Sequence, residues 1–407
     1  MRSAIVVIGL AIALFVIGTS LACGEQSTSS ANPLPSDPYI ALRSGLPNAR
    51  IRFLHDKKGR VAFLGGSITH MSNGWRSLAC EALEKRFAET RFDFIDAGIP
   101  STDSTLGPFR LQRDVLGRGR VDLLFVEFAV NDECNGRKAT ESVRGMEGII
   151  RKARQDNPCM DIVMLYFVDP PKMDVIRKGQ IPSVIASHQK VAGHYGIPSI
   201  DLAREVTERI RAGEFDWKRF GGLHPARFGH GVYARSIGRL MDLAWKEALP
   251  ADVKVRPHRL PNKPLDPLNY GRGQLVDLKQ ARRVKGWQHV PSWTTKQGHT
   301  RPGFCNVPML VAESPGASLK MTFTGTAIGI LVVAGSDVGV IEFVIDDAPP
   351  KRLDQYTQWS HYLHIPWAYM LDADLKDGKH ELTLSTTADK HAKSLGHAAR
   401  IVKFLVN

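Results

Sequence analysis

Residues 61–69 read VAFLGGSIT, an apolar run that ends in two glycines and a serine. The run predicts a buried strand, and a helical stretch follows it from Gly74 onward. The glycines therefore predict a turn that places the hydroxyl of Ser67 at the end of a strand. Unpaired backbone N–H groups and the helix dipole favour developing negative charge at a helix start, so Ser67 is a candidate nucleophile.

The same alternation of strands and helices continues to residue 248. Further buried strands are predicted at 92–95, 121–128, 162–167 and 198–201, and helices at 74–87, 139–154, 181–195 and 229–248. This alternation implies a parallel sheet with helices on both faces. In such folds ligands bind beyond the carboxyl ends of the strands, which is where Ser67 falls.

Three more motifs lie at predicted strand ends or in a late loop: DAG at 96–98, ND at 131–132 and HP at 224–225. Ester hydrolysis needs a hydroxyl, a base within hydrogen-bond reach, and donors aimed at the carbonyl oxygen as it becomes an oxyanion. Ser67 is the candidate nucleophile and His224 the candidate base. Amide donors at Gly98 and Asn131 are candidates for the oxyanion site.

In this order the four motifs resemble the SGNH hydrolases, also called GDSL-like esterases, over residues 55–245. The resemblance implies a three-layer α/β/α, flavodoxin-like domain. It also implies an oxyanion hole made of the backbone N–H groups of Ser67 and Gly98 and the side-chain amide of Asn131. Two positions depart from the family pattern: Gly66 stands where Asp is usual, and Ala129 stands where Gly is usual.

A third departure concerns the acid that orients the base. Most members of the family have Asp three residues before the catalytic histidine, where this chain has Gly221. Either His224 is held by a backbone carbonyl or by a displaced acid such as Asp216, or the enzyme is weakened. Replacing the acid alone can cost roughly four decades of turnover, although other groups often take its place. We expect a dyad or a rescued triad, with Asp216 as the candidate acid.

Glu127 ends the apolar run before the third motif, and a buried carboxylate needs a partner. It is either a structural ion-pair member or a site residue, and we favour the structural role.

The amino terminus predicts export. Arg2 precedes an apolar run at 4–17, and SLAC at 20–23 offers a small-residue cleavage site, which together are typical of a signal peptide over residues 1–22. Cleavage before Cys23 would make a lipoprotein with a lipid anchor on that thiol. Residues 23–50 are predicted to be a flexible tether and lead-in. The expected location is therefore secreted, periplasmic or in the cell envelope.

The second half of the chain has a different character. Residues 51–248 are predicted to be the hydrolase domain, and a proline-rich linker follows at 249–270. Residues 271–407 are predicted to be a small all-β sandwich, with strands at 319–324, 327–333, 340–345, 380–385 and 399–406. An aromatic-rich stretch could stack on sugar rings or fill a core or interface, and the second role is favoured slightly; its members are Tyr356, Trp359, Tyr362 and Trp367.

Composition limits the class of partner. The 407 residues carry a formal net charge of +13, but the Lys and Arg are dispersed, so we expect no nucleic acid and favour an acidic polysaccharide or an envelope setting. The cysteine spacing gives neither a disulfide framework nor a zinc site. The proposed chemistry requires no cofactor and no metal.

The leading interpretation is a serine esterase that removes small acyl groups, chiefly acetyl, from a carbohydrate or another small ester. A lipase or lysophospholipase of the same family is the first alternative. The second is a carbohydrate-binding protein of weakened activity, because the usual acid before His224 is missing.

Overall fold

A six-stranded sheet forms the centre of the amino-terminal region in the computed structural model, which describes residues 33–250 and 252–407. Its strands lie in the spatial order β1-β6-β5-β4-β2-β3, with β1 antiparallel to β6 and the others parallel. Their bounds are β1 Ile40–Ala41, β2 Lys58–Gly65, β3 Arg91–Gly98, β4 Leu123–Glu127, β5 Asp161–Leu165 and β6 Ser199–Ile200. The predicted signal peptide, Cys23 and the first part of the tether lie outside the described residues.

Eleven α-helices in the described part of the chain surround this sheet. They are α1 Pro47–His55, α2 Ser67–His70, α3 Trp75–Arg86, α4 Gly107–Asp114, α5 Ala129–Cys134, α6 Ala139–Asp156, α7 Pro170–Arg177, α8 Ser183–His194, α9 Leu202–Arg211, α10 Trp217–Phe220 and α11 Arg227–Ala244. Every residue of β4 and β5 is buried, as expected for parallel strands with both faces covered. The predicted three-layer α/β/α architecture is confirmed.

Two sheets make up the carboxyl-terminal region. The larger has the order β10-β16-β13-β18-β11-β9, with β7 also paired to β18, and the smaller has the order β15-β14-β17-β12-β8. The bounds are β7 Gln274–Val276, β8 Arg282–Lys285, β9 Gln288–Trp293, β10 His299–Thr300, β11 Val307–Ala312, β12 Ser318–Gly325, β13 Ile328–Ala334, β14 Val340–Ile345, β15 Lys351–Asp354, β16 Leu363–Asp372, β17 Gly378–Thr386 and β18 Ala399–Val406. The all-β sandwich is confirmed.

The centre of the larger sheet is buried on both faces, as the side chains of β13 show. Ile330 and Val332 point into the core between the two sheets. Leu331 and Val333 belong to a separate apolar cluster that also contains Phe109 of α4. Since successive side chains of a strand point to opposite faces, one face of this sheet closes the sandwich and the other packs on the α/β region. The two regions therefore share an apolar interface.

The proline-rich segment between the regions lies against the α/β region. His258 Nε2 lies 2.7 Å from Asp161 Oδ1, and the backbone N–H groups of Leu265 and Asp266 donate to Glu147. Residues 252–273 contain no helix or strand, as the prolines predict. No helix among residues 33–250 and 252–407 combines the length and apolar character needed to cross a membrane.

Candidate active site

Ser67 and His224 meet at the carboxyl edge of the α/β sheet. Ser67 follows β2 directly as the first residue of α2, and His224 lies in the loop between α10 and α11. Ser67 Oγ is 2.8 Å from His224 Nε2, which is ordinary hydrogen-bond distance for a nucleophile and its base. The structure thus brings together the two side chains that the sequence predicted to act together.

Asn131 reaches the same place from α5, and Gly66 makes room for it. A Cβ on Gly66 would lie only 2.2 Å from Asn131 Oδ1, so any side chain there would displace the Asn131 amide. In this structure the position therefore has no room for a side chain while the Asn131 amide keeps its place. Among the described residues, neither the Asn131 side-chain amide nor the backbone N–H of Ser67 has a hydrogen-bond acceptor, and both residues line one pocket of about 210 Å³.

Gly98 does not lie in that pocket, which corrects the expectation that it supplies an oxyanion donor. Its N–H donates to Asp96 Oδ1 at 2.9 Å, and it lines a neighbouring cleft instead. Glycine is required there because a Cβ would lie 2.6 Å from the backbone nitrogen of His70, where α2 approaches the end of β3.

Ser101 takes the place predicted for Gly98. It lines the pocket with Ser67 and Asn131, and its backbone N–H has no acceptor in the described part of the chain. Its φ of 71° is in the left-handed region, which strains a residue with a Cβ, so a contact must hold it there. Asn135 Nδ2 donates to the Ser101 carbonyl at 3.2 Å, and Arg301 Nε donates to the Ser101 hydroxyl at 3.1 Å. The sequence gives no glycine at this position, so it was missed.

A buried carboxylate ties the Ser101 loop to the Asn131 turn. Asp132 Oδ1 and Oδ2 accept the N–H and the hydroxyl of Ser104 at 2.8 and 2.7 Å, and Oδ2 is 2.9 Å from His188 Nε2. Burial alone would raise the pKa of Asp132, but the hydrogen bonds from His188 and Ser104 hold it below its ordinary value. The charged form therefore fixes the spacing of two of the three candidate oxyanion donors.

Asp216 is not brought to His224, which corrects its candidacy as the orienting acid. Its side chain caps α10 by accepting the N–H of Arg219 at 2.6 Å. Within residues 33–250 and 252–407, His224 Nδ1 has no hydrogen-bond partner. Gly221, at the usual position of the family acid, has a φ of 102°, and a Cβ there would lie 2.0 Å from the backbone nitrogen of Ala226. The tight turn before the base thus excludes an Asp from that position.

The electrostatic environment of His224 favours its neutral form. Partial burial and the positive charge of Arg301 both lower the pKa of the imidazole below 6.5. His230, on the adjacent turn of α11, has its pKa lowered further, to about 4, by burial and by the charge of His224. Neutral imidazole is the form that accepts a proton from a hydroxyl.

Glu127 is fully buried at the end of β4, and burial raises its pKa to about 8. Its carboxyl group accepts hydrogen bonds from the backbone N–H groups of Val130 and Gly66, the residues that immediately precede Asn131 and Ser67. Among the described residues it forms no ion pair, so the expected structural ion pair is absent there. The carboxyl group instead links the two turns that carry site residues.

The carboxyl-terminal region completes the pocket. Arg301, Trp359, Tyr362 and Ile365 line it together with Ser67 and His224. Two members of the aromatic stretch thus face the site, whereas Trp367 is buried in the core between the two sheets and Tyr356 stacks on His391 with ring centroids 4.4 Å apart. Arg301 was not foreseen, because its position follows only from the packing of the two regions.

Metal ligands do not cluster in the described part of the chain: no group of three His, Cys, Asp or Glu side chains there could hold a metal ion. Four cysteines in that part are free thiols, namely Cys80, Cys134, Cys159 and Cys305.

The contact between Gly66 and Asn131 yields a double-mutant test. Asn131→Ala should lower kcat roughly a hundred- to a thousandfold by removing one oxyanion donor. Gly66→Ala should also lower kcat, because the new methyl group displaces the amide. The double variant should lose no more of its kcat than Asn131→Ala alone, because the amide that the new methyl group would displace is then absent. Independent, multiplying effects in hydrolysis of 4-nitrophenyl acetate would contradict this assignment.

The lowered pKa of His224 sets the pH dependence. Because the base must be neutral, kcat/KM should rise with pH through a midpoint below 6.5 and then stay level. Arg301→Gln should move that midpoint upward, since it removes a positive charge that disfavours the imidazolium. A midpoint above 7 in the unmodified enzyme, measured with 4-nitrophenyl acetate, would be inconsistent with this environment.

Comparison with known proteins bears on the family and the fold. Residues 63–232 match the model of the GDSL-like lipase/acylhydrolase family. No curated protein matches the chain. A crystal structure of a two-domain esterase (CEX) active on acetylated mannans has a TM-score of 0.70 and 20% identity, covering 90% of this chain and 98% of that chain.

The same esterase co-crystallised with mannopentaose has a TM-score of 0.68 and 21% identity over the same shares of the two chains. At these identities the likeness shows that the fold is shared across both regions. With the family match over residues 63–232, it follows that the chain contains an SGNH-type, GDSL-like acylhydrolase domain and is a carboxylic ester hydrolase.

Proposed function

We propose that this enzyme removes small acyl groups, chiefly acetyl, from a carbohydrate through an acyl-serine intermediate. The observation that carries the proposal is the 2.8 Å contact between Ser67 Oγ and His224 Nε2. The same pocket holds three amide donors that have no acceptor among the described residues. The pocket volume of about 210 Å³ suits an acetyl group and is below the usual range for larger ligands.

Residues of the pocket can carry out each step of the ester hydrolysis. Ser67 Oγ attacks the ester carbonyl while His224 Nε2 takes the hydroxyl proton, and the resulting oxyanion accepts bonds from the N–H groups of Ser67 and Ser101 and the amide of Asn131. His224 then returns the proton to the departing sugar hydroxyl. Water activated by His224 attacks the acyl-serine, releases the carboxylic acid and restores Ser67.

The carbohydrate part of the proposal rests on the aromatic side of the pocket. Tyr362 is 42% exposed and lines the pocket with Trp359, so a flat apolar ring face is available to a sugar beside the nucleophile. The two-domain esterase that shares this fold acts on acetylated mannans, which supports the same substrate class here.

Two alternative functions can be tested by assays of acetate release and nitrophenyl ester hydrolysis. A lipase or lysophospholipase would favour long acyl chains, which the small pocket disfavours. A weakened binding protein is suggested by His224 Nδ1, which has no partner in the described part of the chain. It would bind acetylated sugars without turning them over.

We also propose that the protein is exported to the cell envelope or beyond, on the basis of the signal sequence and Cys23, which lie outside the described residues.

Release of acetate from acetylated mannan or xylan tests the proposed activity directly. The purified protein should release acetate and should hydrolyse 4-nitrophenyl acetate much faster than the palmitate ester. Ser67→Ala should abolish both activities, whereas Ser318→Ala, on a strand of the smaller sheet, should retain them. A Ser67→Ala rate equal to that of the unmodified enzyme would show that the nucleophile lies elsewhere.

The role of Tyr362 in sugar binding can be tested with Tyr356, from the same aromatic stretch, as the matched control. Tyr362→Ala should raise KM for the acetylated polymer about two- to tenfold, as expected for loss of one stacking contact. Tyr356→Ala should leave KM unchanged, because that ring stacks on His391 and does not line the pocket. Equal KM values for the two variants would argue against sugar stacking at Tyr362.

A further inference from the structure

Arg301 brings an uncompensated positive charge to the active site. It follows β10 directly, is half-buried, and lines the pocket with Ser67 and His224. The only hydrogen bond that its guanidinium group forms with another described residue runs from Nε to Ser101 Oγ at 3.1 Å. The two terminal nitrogens of the guanidinium therefore remain available to a ligand.

No carboxylate of the described chain offsets this charge. None of the residues that line the pocket is Asp or Glu, and Arg301 forms no ion pair with any described residue. The usual acid of the family is also missing, because Gly221 occupies its position and Asp216 caps α10. A half-buried cation without a counter-ion is costly, and its most effective partner is a carboxylate bound by two parallel hydrogen bonds.

The charge also acts against the reaction while the site is empty. When His224 takes the proton of Ser67 it becomes an imidazolium beside a guanidinium, and two like charges close together repel. A bound anion on Arg301 would neutralise this repulsion at the moment when the proton moves. The geometry therefore favours a substrate that carries its own negative charge close to the ester.

We propose that Arg301 binds a carboxylate of the substrate, so that the enzyme acts on an acylated acidic carbohydrate, such as a polymer of uronic acids. This inference rests on the proposed esterase function and narrows its substrate class. Three observations support it: the terminal nitrogens of the guanidinium are free in the pocket, no described residue provides a counter-ion, and Trp359 and Tyr362 line the same pocket, where they could hold the sugar ring.

The surroundings of the pocket are compatible with an anionic polymer. A cleft of about 680 Å³ is lined by Pro100 and Pro302, the sequence neighbours of Ser101 and Arg301. Its lining contains three Lys or Arg side chains but one acidic residue. Of these three basic residues, Lys279 is the one that forms no ion pair with a described residue. The net charge of +13 attracts polyanions to the molecule as a whole.

The test uses two polymers with the same sugar chain, one with charged and one with neutral carboxyl groups: acetylated galacturonan and its methyl-esterified form. The unmodified enzyme should release acetate from the free-acid polymer with a kcat/KM roughly tenfold or more above that for the methyl-esterified polymer. Arg301→Gln should abolish this preference. The ratio is the readout, because it cancels any general effect of the variant on the catalytic centre.

Two controls keep the test decisive. Arg282→Gln removes an exposed charge of β8 and should keep the ratio of the unmodified enzyme. If Arg301→Gln does not fold, added salt serves instead: raising NaCl from 0.05 to about 0.5 M should reduce the preference of the unmodified enzyme by screening the ion pair.

The outcomes separate the two proposals. Equal rates on the two polymers, or a preference that survives Arg301→Gln, would overturn the carboxylate site and leave the esterase function intact. Failure to release acetate from either polymer, together with inertness toward 4-nitrophenyl acetate, would overturn both.

Discussion

The parallel pairing of β2 with both β3 and β4 is the constraint on which the active site depends. Gly65 pairs with Gly98 and Leu64 with Val126, so the three strands end at the same level of the sheet. The chain segments that leave these ends carry Ser67, Ser101 and Asn131. A shift of register would separate the nucleophile from the oxyanion donors, and the fully buried side chains of β4 make such a shift very costly.

Small distances at this edge explain most of the local sequence. Gly66 leaves space for the Asn131 amide, Gly98 leaves space for α2, and Gly221 allows the tight turn that presents His224. Each glycine is dictated by a close approach, and two of them stand where the family pattern has another residue. At these two positions, Gly66 and Gly221, the surrounding atoms leave no space for a Cβ in this structure.

The carboxyl-terminal region contributes to the chemistry because it is fixed to the α/β region. The second apolar face of the larger sheet packs on α4, and Arg137 Nη2 donates to the carbonyl of Ala368 across the interface at 2.8 Å. This attachment holds Arg301 and Tyr362 in the pocket. The β-sandwich thus shapes the catalytic pocket, and its attachment fixes part of the substrate-binding wall.

The sequence allowed the architecture and the Ser67–His224 contact to be predicted, because both follow from local signals. Apolar runs mark buried strands, and motifs at strand ends converge on one edge. Gly98 was assigned by resemblance, and Asp216 because it is the only nearby acid on the amino-terminal side of His224. Their hydrogen bonds, from the N–H of Gly98 to Asp96 and from the N–H of Arg219 to Asp216, show other roles.

Ser101 and Arg301 could not be found in this way. The position of Ser101 depends on a left-handed backbone conformation that is unusual for serine. The position of Arg301 depends on a contact with a residue 200 positions away in the sequence. The strand β16 was missed because its aromatic residues and Pro366 resemble a binding loop more than a strand.

Covalent labelling with a fluorophosphonate tests the central claim most directly, because this reagent forms a stable adduct only with a serine that an adjacent base activates. Peptide mapping of the labelled protein should place one adduct on Ser67, and His224→Ala should prevent its formation. An adduct on another serine, or labelling of Ser67 that does not depend on His224, would contradict the account.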